Sequence, residues 1–172
     1  MDTPTTDELR FEEKTHTYWL NNERLTSVTQ LLIFQDFSNI PKDILEYKCQ
    51  LGTYVHKAIE LFLLGELNQD TLHPKIAEYF KSWLIWWNQH KHRITVLGVE
   101  ERFYHPVFKY AGCVDLRCLY DDEPTIIDWK CASQHSIWYN LQTAGYQIGC
   151  THFHQTAIKK RGALIIGKEG KT

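Results

Sequence analysis

The spacing of hydrophobic positions changes character along the chain, and those changes mark out its elements. Residues 10–30, RFEEKTHTYWLNNERLTSVTQ, carry short polar and apolar stretches on either side of Asn21-Asn22, which predicts a hairpin. Ser27 then stands where a helix N-cap belongs, ahead of TQLLIFQ. Pro41 suits the first turn of a second helix over 41–50. In GTYVHKAIELFLLG, Val55, Ile59, Phe62 and Leu63 fall on one helical face, and Gly65 can end the helix. A longer helix over 74–91 bears Tyr79, Phe80, Trp83, Trp86 and Trp87, a stripe that reads as core packing.

Past residue 93 the period changes. ITVLGVEERFYHPVF and YAGCVDLRCLY are rich in β-branched and aromatic residues, with turn signals near Pro106 and Lys109. Asp121–Pro124 reads as a tight polar turn, and TIIDWKCA as a short apolar strand running into a charged end. Residues 136–149 return to a helical pattern, and 153–167 read as a last strand. Helices, three strands, a helix and a strand predict an α/β fold with a mixed sheet. With 172 residues and no linker or repeat, one domain is expected over 1–172: an N-terminal hairpin and helices at 10–92, and a sheet core at 94–167.

Composition narrows the picture. Hydrophobic residues make up 43% and charged residues 23%, the balance of a globular chain and not of a disordered one. The formal net charge of −2 argues against a protein that coats DNA non-specifically. It leaves room for an enzyme with a local basic groove and an acidic centre. Cys49, Cys113, Cys118, Cys131 and Cys150 form no C-x-x-C pair, and their odd number points to reduced thiols. No apolar run reaches the roughly 20 residues of a membrane span. The first residues, MDTPTTDELR, lack a signal-peptide core. A cytoplasmic protein, in a bacterium or a phage-infected host, is expected.

The chemistry concentrates in the second half. Four [D/E]-x-K triplets occur, but only Asp128-Trp129-Lys130 follows an apolar strand, Thr125-Ile126-Ile127. In a strand, Asp128 and Lys130 project to one face while Ile127 and Trp129 enter the other. Asp115 lies thirteen residues earlier, the separation at which a hairpin turning at Asp121–Pro124 sets it beside Asp128. Clustered carboxylates repel one another unless a cation joins them, and hard oxygen ligands suit Mg²⁺ or Mn²⁺. Lys130 then has work to do, orienting a water or offsetting charge. The plainer reading is a surface hairpin with ordinary salt bridges. Against it stand His56 and Glu60, four apart on one helix, and Gln142 and Tyr146, four apart on another. Glu100 and Glu101 are placed on the strand preceding that of Asp115; alternation lets only one of them face the site.

Taken in order, G-T-x-x-H-x-x-I-E (52–60), the acidic strand (99–101), G-x-x-D (112–115), I-D-W-K (127–130) and Q-x-x-x-Y (142–146) resemble the RecB-like branch of the PD-(D/E)XK nucleases. His16 and Tyr18, followed by TSVTQ at 26–30, are similar to phage and prophage exonuclease members of that branch. The resemblance spans 16–167. It implies a restriction-endonuclease-like core, Asp115, Asp128 and Lys130 as catalytic residues, and a Mg²⁺ site (Mn²⁺ substituting) from His56, Asp115, Asp128 and the Trp129 carbonyl. It further implies Glu100 or Glu101 as a supporting acid, and Gln142 and Tyr146 as substrate contacts. The cysteine spacing departs from that of members with an iron–sulfur cluster, so none is expected.

His90-x-His92 and His152-x-His154 lack a second ligand pair at zinc-finger spacing. Lys159-Lys160-Arg161 suits phosphate contact or a solvated strand end equally. The expected function is Mg²⁺-dependent hydrolysis of DNA phosphodiester bonds, as an exonuclease in phage or prophage recombination, replication or repair. DNA is the expected partner, with a homo-oligomer or a recombination protein beside it. A catalytically silent nucleic-acid-binding or interaction module on the same fold is the alternative, as is an endonuclease.

Overall fold

A three-stranded antiparallel meander opens the fold in the computed structural model, which describes residues 8–32, 38 and 40–168. Strands β2 (Thr17–Leu20) and β3 (Glu23–Ser27) form the expected hairpin, with Asn21 at φ 55° in its turn. A further strand, β1 (Leu9–Glu12), pairs with β2 and places Phe11 opposite Tyr18. Ser27 ends β3 and caps helix α1 (Val28–Leu31). Its Oγ accepts from the Gln30 N–H at 3.1 Å, and the Gln30 side chain accepts from the Ser27 N–H at 3.0 Å, a reciprocal capping box. Residues 33–35 of the helix expected there lie outside the described residues.

The two helices expected over 41–50 and 52–65 are one. Helix α2 (Lys42–Leu63) runs unbroken for 22 residues, with Pro41 as its N-cap and not its first helical residue. Gly52, inside α2, costs about 1 kcal/mol of helix propensity. Burial of Val55, Ala58 and Ile59 against the sheet outweighs that cost. At the far end Gly65, at φ 77°, closes the helix as expected by donating its N–H to the Phe62 carbonyl at 3.0 Å.

Helix α3 (Pro74–His90) carries the aromatic stripe into the core as the sequence predicts. Trp83 stacks on Phe80 at 5.7 Å and on Trp87 at 5.4 Å, and meets the edge of Trp129 at 5.9 Å.

Strands β4 (Ile94–His105), β5 (Tyr110–Tyr120) and β6 (Glu123–Lys130) form an antiparallel set. The β5–β6 turn is tighter than expected. Only Asp121 and Asp122 lie outside the strands, at φ 51° and 62°, the two positive values of a type I′ hairpin turn. Helix α4 (Ile137–Phe153) follows, capped by Ser136. The last strand begins later than the sequence suggests, because α4 continues through Phe153; β7 (Lys160–Ile165) then pairs parallel to β6.

The result is a mixed seven-stranded sheet flanked by helices. Helices α2 and α3 cover one face over Leu116, Cys118, Ile127, Trp129 and Ile166. Helix α4 covers the other over Phe103, Val114 and Ile126. No helix among the described residues is long and apolar enough to cross a membrane.

The sheet is forked. Every residue of β5 except Asp115 pairs with β4 on one edge. On its other edge β5 pairs with β3 at Tyr110–Ala111 and with β6 from Leu116 onward. Residues 112–115 fall between the two branches, and Asp115 is the last of them.

Close approach of α4 to the sheet depends on Gly149. A Cβ at that position would come within 1.9 Å of the Phe103 ring, which is fully buried. Gly149→Ala is predicted to destabilise the fold by about 1–3 kcal/mol despite alanine's better helix propensity. The same substitution in a Phe103→Leu background costs less, since the ring it strikes is gone. Urea denaturation of the four proteins checks this, and equal costs in both backgrounds would refute it.

Candidate active site

Asp115 is buried at the fork, where no strand partner continues the ladder. Its Oδ2 accepts the Trp129 N–H at 2.5 Å, so a carboxylate does what a strand carbonyl would otherwise do. Its Oδ1 stands 3.3 Å from Nδ1 of His56, which α2 delivers from the helix side. The Trp129 side chain is fully buried among the α2–α3 aromatics, as the period-2 pattern of β6 predicts.

Asp128 and Lys130 project together, also as predicted. Lys130 Nζ lies 2.7 Å from Asp128 Oδ2. That ion pair sets an ammonium group against a buried carboxylate oxygen. A buried carboxylate is costly unless something positive meets it, and Lys130 does so here.

The choice between the two glutamates is resolved by the backbone. Glu100 adopts φ 48°, the left-handed region, at a cost of order 1–3 kcal/mol for a non-glycine residue. This breaks the alternation of β4. Val99 packs on the α2–α3 core, and Glu100 stays on that side with Oε1 4.0 Å from His56 Nδ1. Glu101 turns to the opposite side, where Arg117 grips it with two donors at 2.5 and 3.1 Å and His154 lies 3.3 Å away. Glu100 therefore faces the site and Glu101 does not.

His56, Glu100 and Asp115 each present a ligand atom, and the three atoms lie within 4.8 Å of one another. The electrostatics reflect this crowding. Burial alone would lower the pKa of His56, but the Asp115 carboxylate outweighs it and holds the imidazolium up to about 9. Burial, and then the Asp115 charge, raise both Glu100 and Asp128 above the usual carboxylate range. Asp115 itself is held below it: His56, Lys130 and the Trp129 N–H together overcome its desolvation. For Lys130 the two aspartates overcome burial and raise its pKa, so it remains an ammonium group.

Helix α4 lines the opposite side. Gln142 donates to the Tyr146 hydroxyl at 2.7 Å, confirming that the pair shares a face. Tyr146 is buried against Phe103, its ring centre 5.9 Å away, which leaves the half-buried Gln142 as the more accessible member. Two neighbours were not foreseen. Tyr139 puts its ring 5.6 Å from Lys130 Nζ, and the Cys113 thiol donates to Glu100 at 3.4 Å. Tyr139 was legible as the residue one turn before Gln142 on the same helical face, and Cys113 as the residue two before Asp115.

Other candidates lie elsewhere. Glu60 pairs with Lys57 at 2.7 Å instead of joining His56. His152 stacks on His105 at 4.4 Å, and His90 stacks on Trp86 while meeting the Tyr120 hydroxyl at 2.5 Å. Lys160 of the basic run pairs with Glu123 at 2.8 Å. The five cysteines are free thiols, with Cys118 and Cys150 buried. Compared with protein-family models and with curated proteins, the sequence matches none.

The two glutamates make the site testable without any assay of turnover. Titration calorimetry with Mn²⁺ is expected to show Glu100→Gln weakening binding by at least about 10-fold, or roughly 1.4 kcal/mol. Glu101→Gln leaves the affinity unchanged and lowers the melting temperature, because Arg117 and His154 lose their carboxylate. Equal effects of the two substitutions on Mn²⁺ affinity would sink the assignment.

Proposed function

We propose that the chain is a divalent-metal-dependent nuclease that hydrolyses DNA phosphodiester bonds on a RecB-like PD-(D/E)XK core. One observation carries the reading. Asp115, Asp128 and Lys130, singled out by strand context, are gathered with His56 and Glu100 at a fork in the sheet. Structural ion pairs gain little from being assembled where three carboxylates repel one another.

The donor set fits a hard divalent cation. His56, Glu100, Asp115 and Asp128 would hold Mg²⁺, or Mn²⁺ in its place, through one imidazole nitrogen and carboxylate oxygens. Such an ion supplies Lewis-acid charge against the phosphate oxygens. The chain's own groups do the rest. Lys130 stays cationic beside Asp128 and can orient the attacking water and donate to a phosphoryl oxygen as negative charge develops. Asp128 fixes that ammonium group, and the Trp129 N–H fixes the Asp115 carboxylate. Gln142 offers its amide to the substrate strand, oriented by Tyr146.

The resemblance to phage and prophage enzymes extends the proposal to an exonuclease of DNA recombination, replication or repair, working in the cytoplasm with a homo-oligomer or recombination protein as partner.

End-labelled linear DNA incubated with the protein and Mg²⁺ is expected to lose its full-length band. Lys130→Ala slows this by about 100-fold or more, the scale for removing one transition-state donor, and EDTA stops it. DNA left equally intact by wild type and Lys130→Ala would overturn the reading. A covalently closed circle offered in parallel survives an exonuclease; its opening would assign an endonuclease instead.

A further inference from the structure

Beside the site lies a cleft of about 720 Å³ that the catalytic groups do not account for. Its walls are the first half of α2 (Lys48 and Leu51), Tyr79 of α3, residues 131–135 after β6, and the end of β7 through Lys168. It adjoins the site on two sides. Cys131 directly follows Lys130 in the chain, and Leu51 sits little more than one turn before His56 on the same helix. The segment after β6 is also anchored, since the Lys130 carbonyl accepts the N–H groups of both Ala132 and Ile166, at 2.9 and 2.8 Å.

The lining is basic and polar. Lys48, Lys168 and His135 contribute to it with Gln134 and Ser133, and no acidic side chain is among the described residues that line it. Neither Lys48 nor Lys168 pairs with a carboxylate among the described residues. In a chain of net charge −2 this is a local reversal of sign. Tyr79 adds a half-buried aromatic ring to the wall.

We propose that this cleft binds a short stretch of single-stranded nucleic acid continuous with the strand whose phosphate reaches Lys130. Lys48 and Lys168 meet backbone phosphates as unpaired point charges. Tyr79 offers a face on which a base can stack, and Ser133 and Gln134 supply hydrogen bonds. A duplex does not enter a recess of this volume between a helix and an anchored segment, whereas a single strand does. The proposal rests on the nuclease reading and specifies its substrate: a strand presented unpaired on one side of the scissile bond.

Fluorescence anisotropy with a labelled single-stranded oligonucleotide in EDTA tests the cleft with cleavage switched off. Lys48→Ala/Lys168→Ala is expected to bind about 10-fold more weakly or worse. Its slope of log K against log salt should be shallower by about 1.4, two single-strand phosphate contacts at 0.7 each. Lys91→Ala, some 18 Å further along the α3 axis than Tyr79, leaves both unchanged. A blunt duplex of the same length binds more weakly than the single strand. Unchanged affinity and slope in the double variant would overturn the cleft. If wild type still degrades DNA with Mg²⁺ in that event, the nuclease reading stands and only the cleft falls. A wild type that neither binds nor cleaves any DNA takes both down.

Discussion

The hydrogen bond from the Trp129 N–H to the Asp115 carboxylate holds the centre of this molecule together. It forms where β5 passes from one sheet branch to the other, so the ladder has no strand carbonyl to offer there. An unpaired buried N–H costs about 1–3 kcal/mol, and a carboxylate is a stronger acceptor than the carbonyl it replaces. The same carboxylate then orders its surroundings: His56 on α2, Glu100 on β4, and the polarity of Asp128 and Lys130 on β6. Trp129 also plugs the α2–α3 core with its indole. A single residue thereby ties the hydrophobic packing to the charged centre.

Much of this was legible before any coordinates. Period-2 alternation over 125–130 was enough to separate Asp128 and Lys130 from Ile127 and Trp129, because the pleat admits no other arrangement. The count from Asp115 to Asp128 brought the two strands together because the turn between them is a short hairpin. Helical spacing found the Trp83 stripe and the Gln142–Tyr146 pair. All of these depend on local periodicity, which sequence displays directly.

What the sequence hid was non-local or broke the period. Gly52 looked like a boundary, yet α2 continues through it because burial of Val55, Ala58 and Ile59 just beyond it exceeds the propensity cost. Glu100 and Glu101 could not be told apart, since the answer lies in a left-handed backbone angle that only the surrounding strand pairs enforce. The end of α4 was misplaced by several residues because FHQTA carries no strong stop signal. The fork itself, and the cleft beside it, exist only once β3, β5, β6 and β7 are assembled.

The continuity of α2 has a mechanical meaning. Its 22 residues form a rod about 33 Å long, and an unkinked helix transmits displacement along its axis with little loss. His56 lies in the second half of that rod, and Lys48 and Leu51 lie closer to its start. Anything that shifts the first half of the rod shifts the imidazole relative to the two acids anchored in the sheet. The wall of the cleft and the imidazole therefore belong to one continuous helix. Two separate helices joined at Gly52 would have insulated those regions from each other.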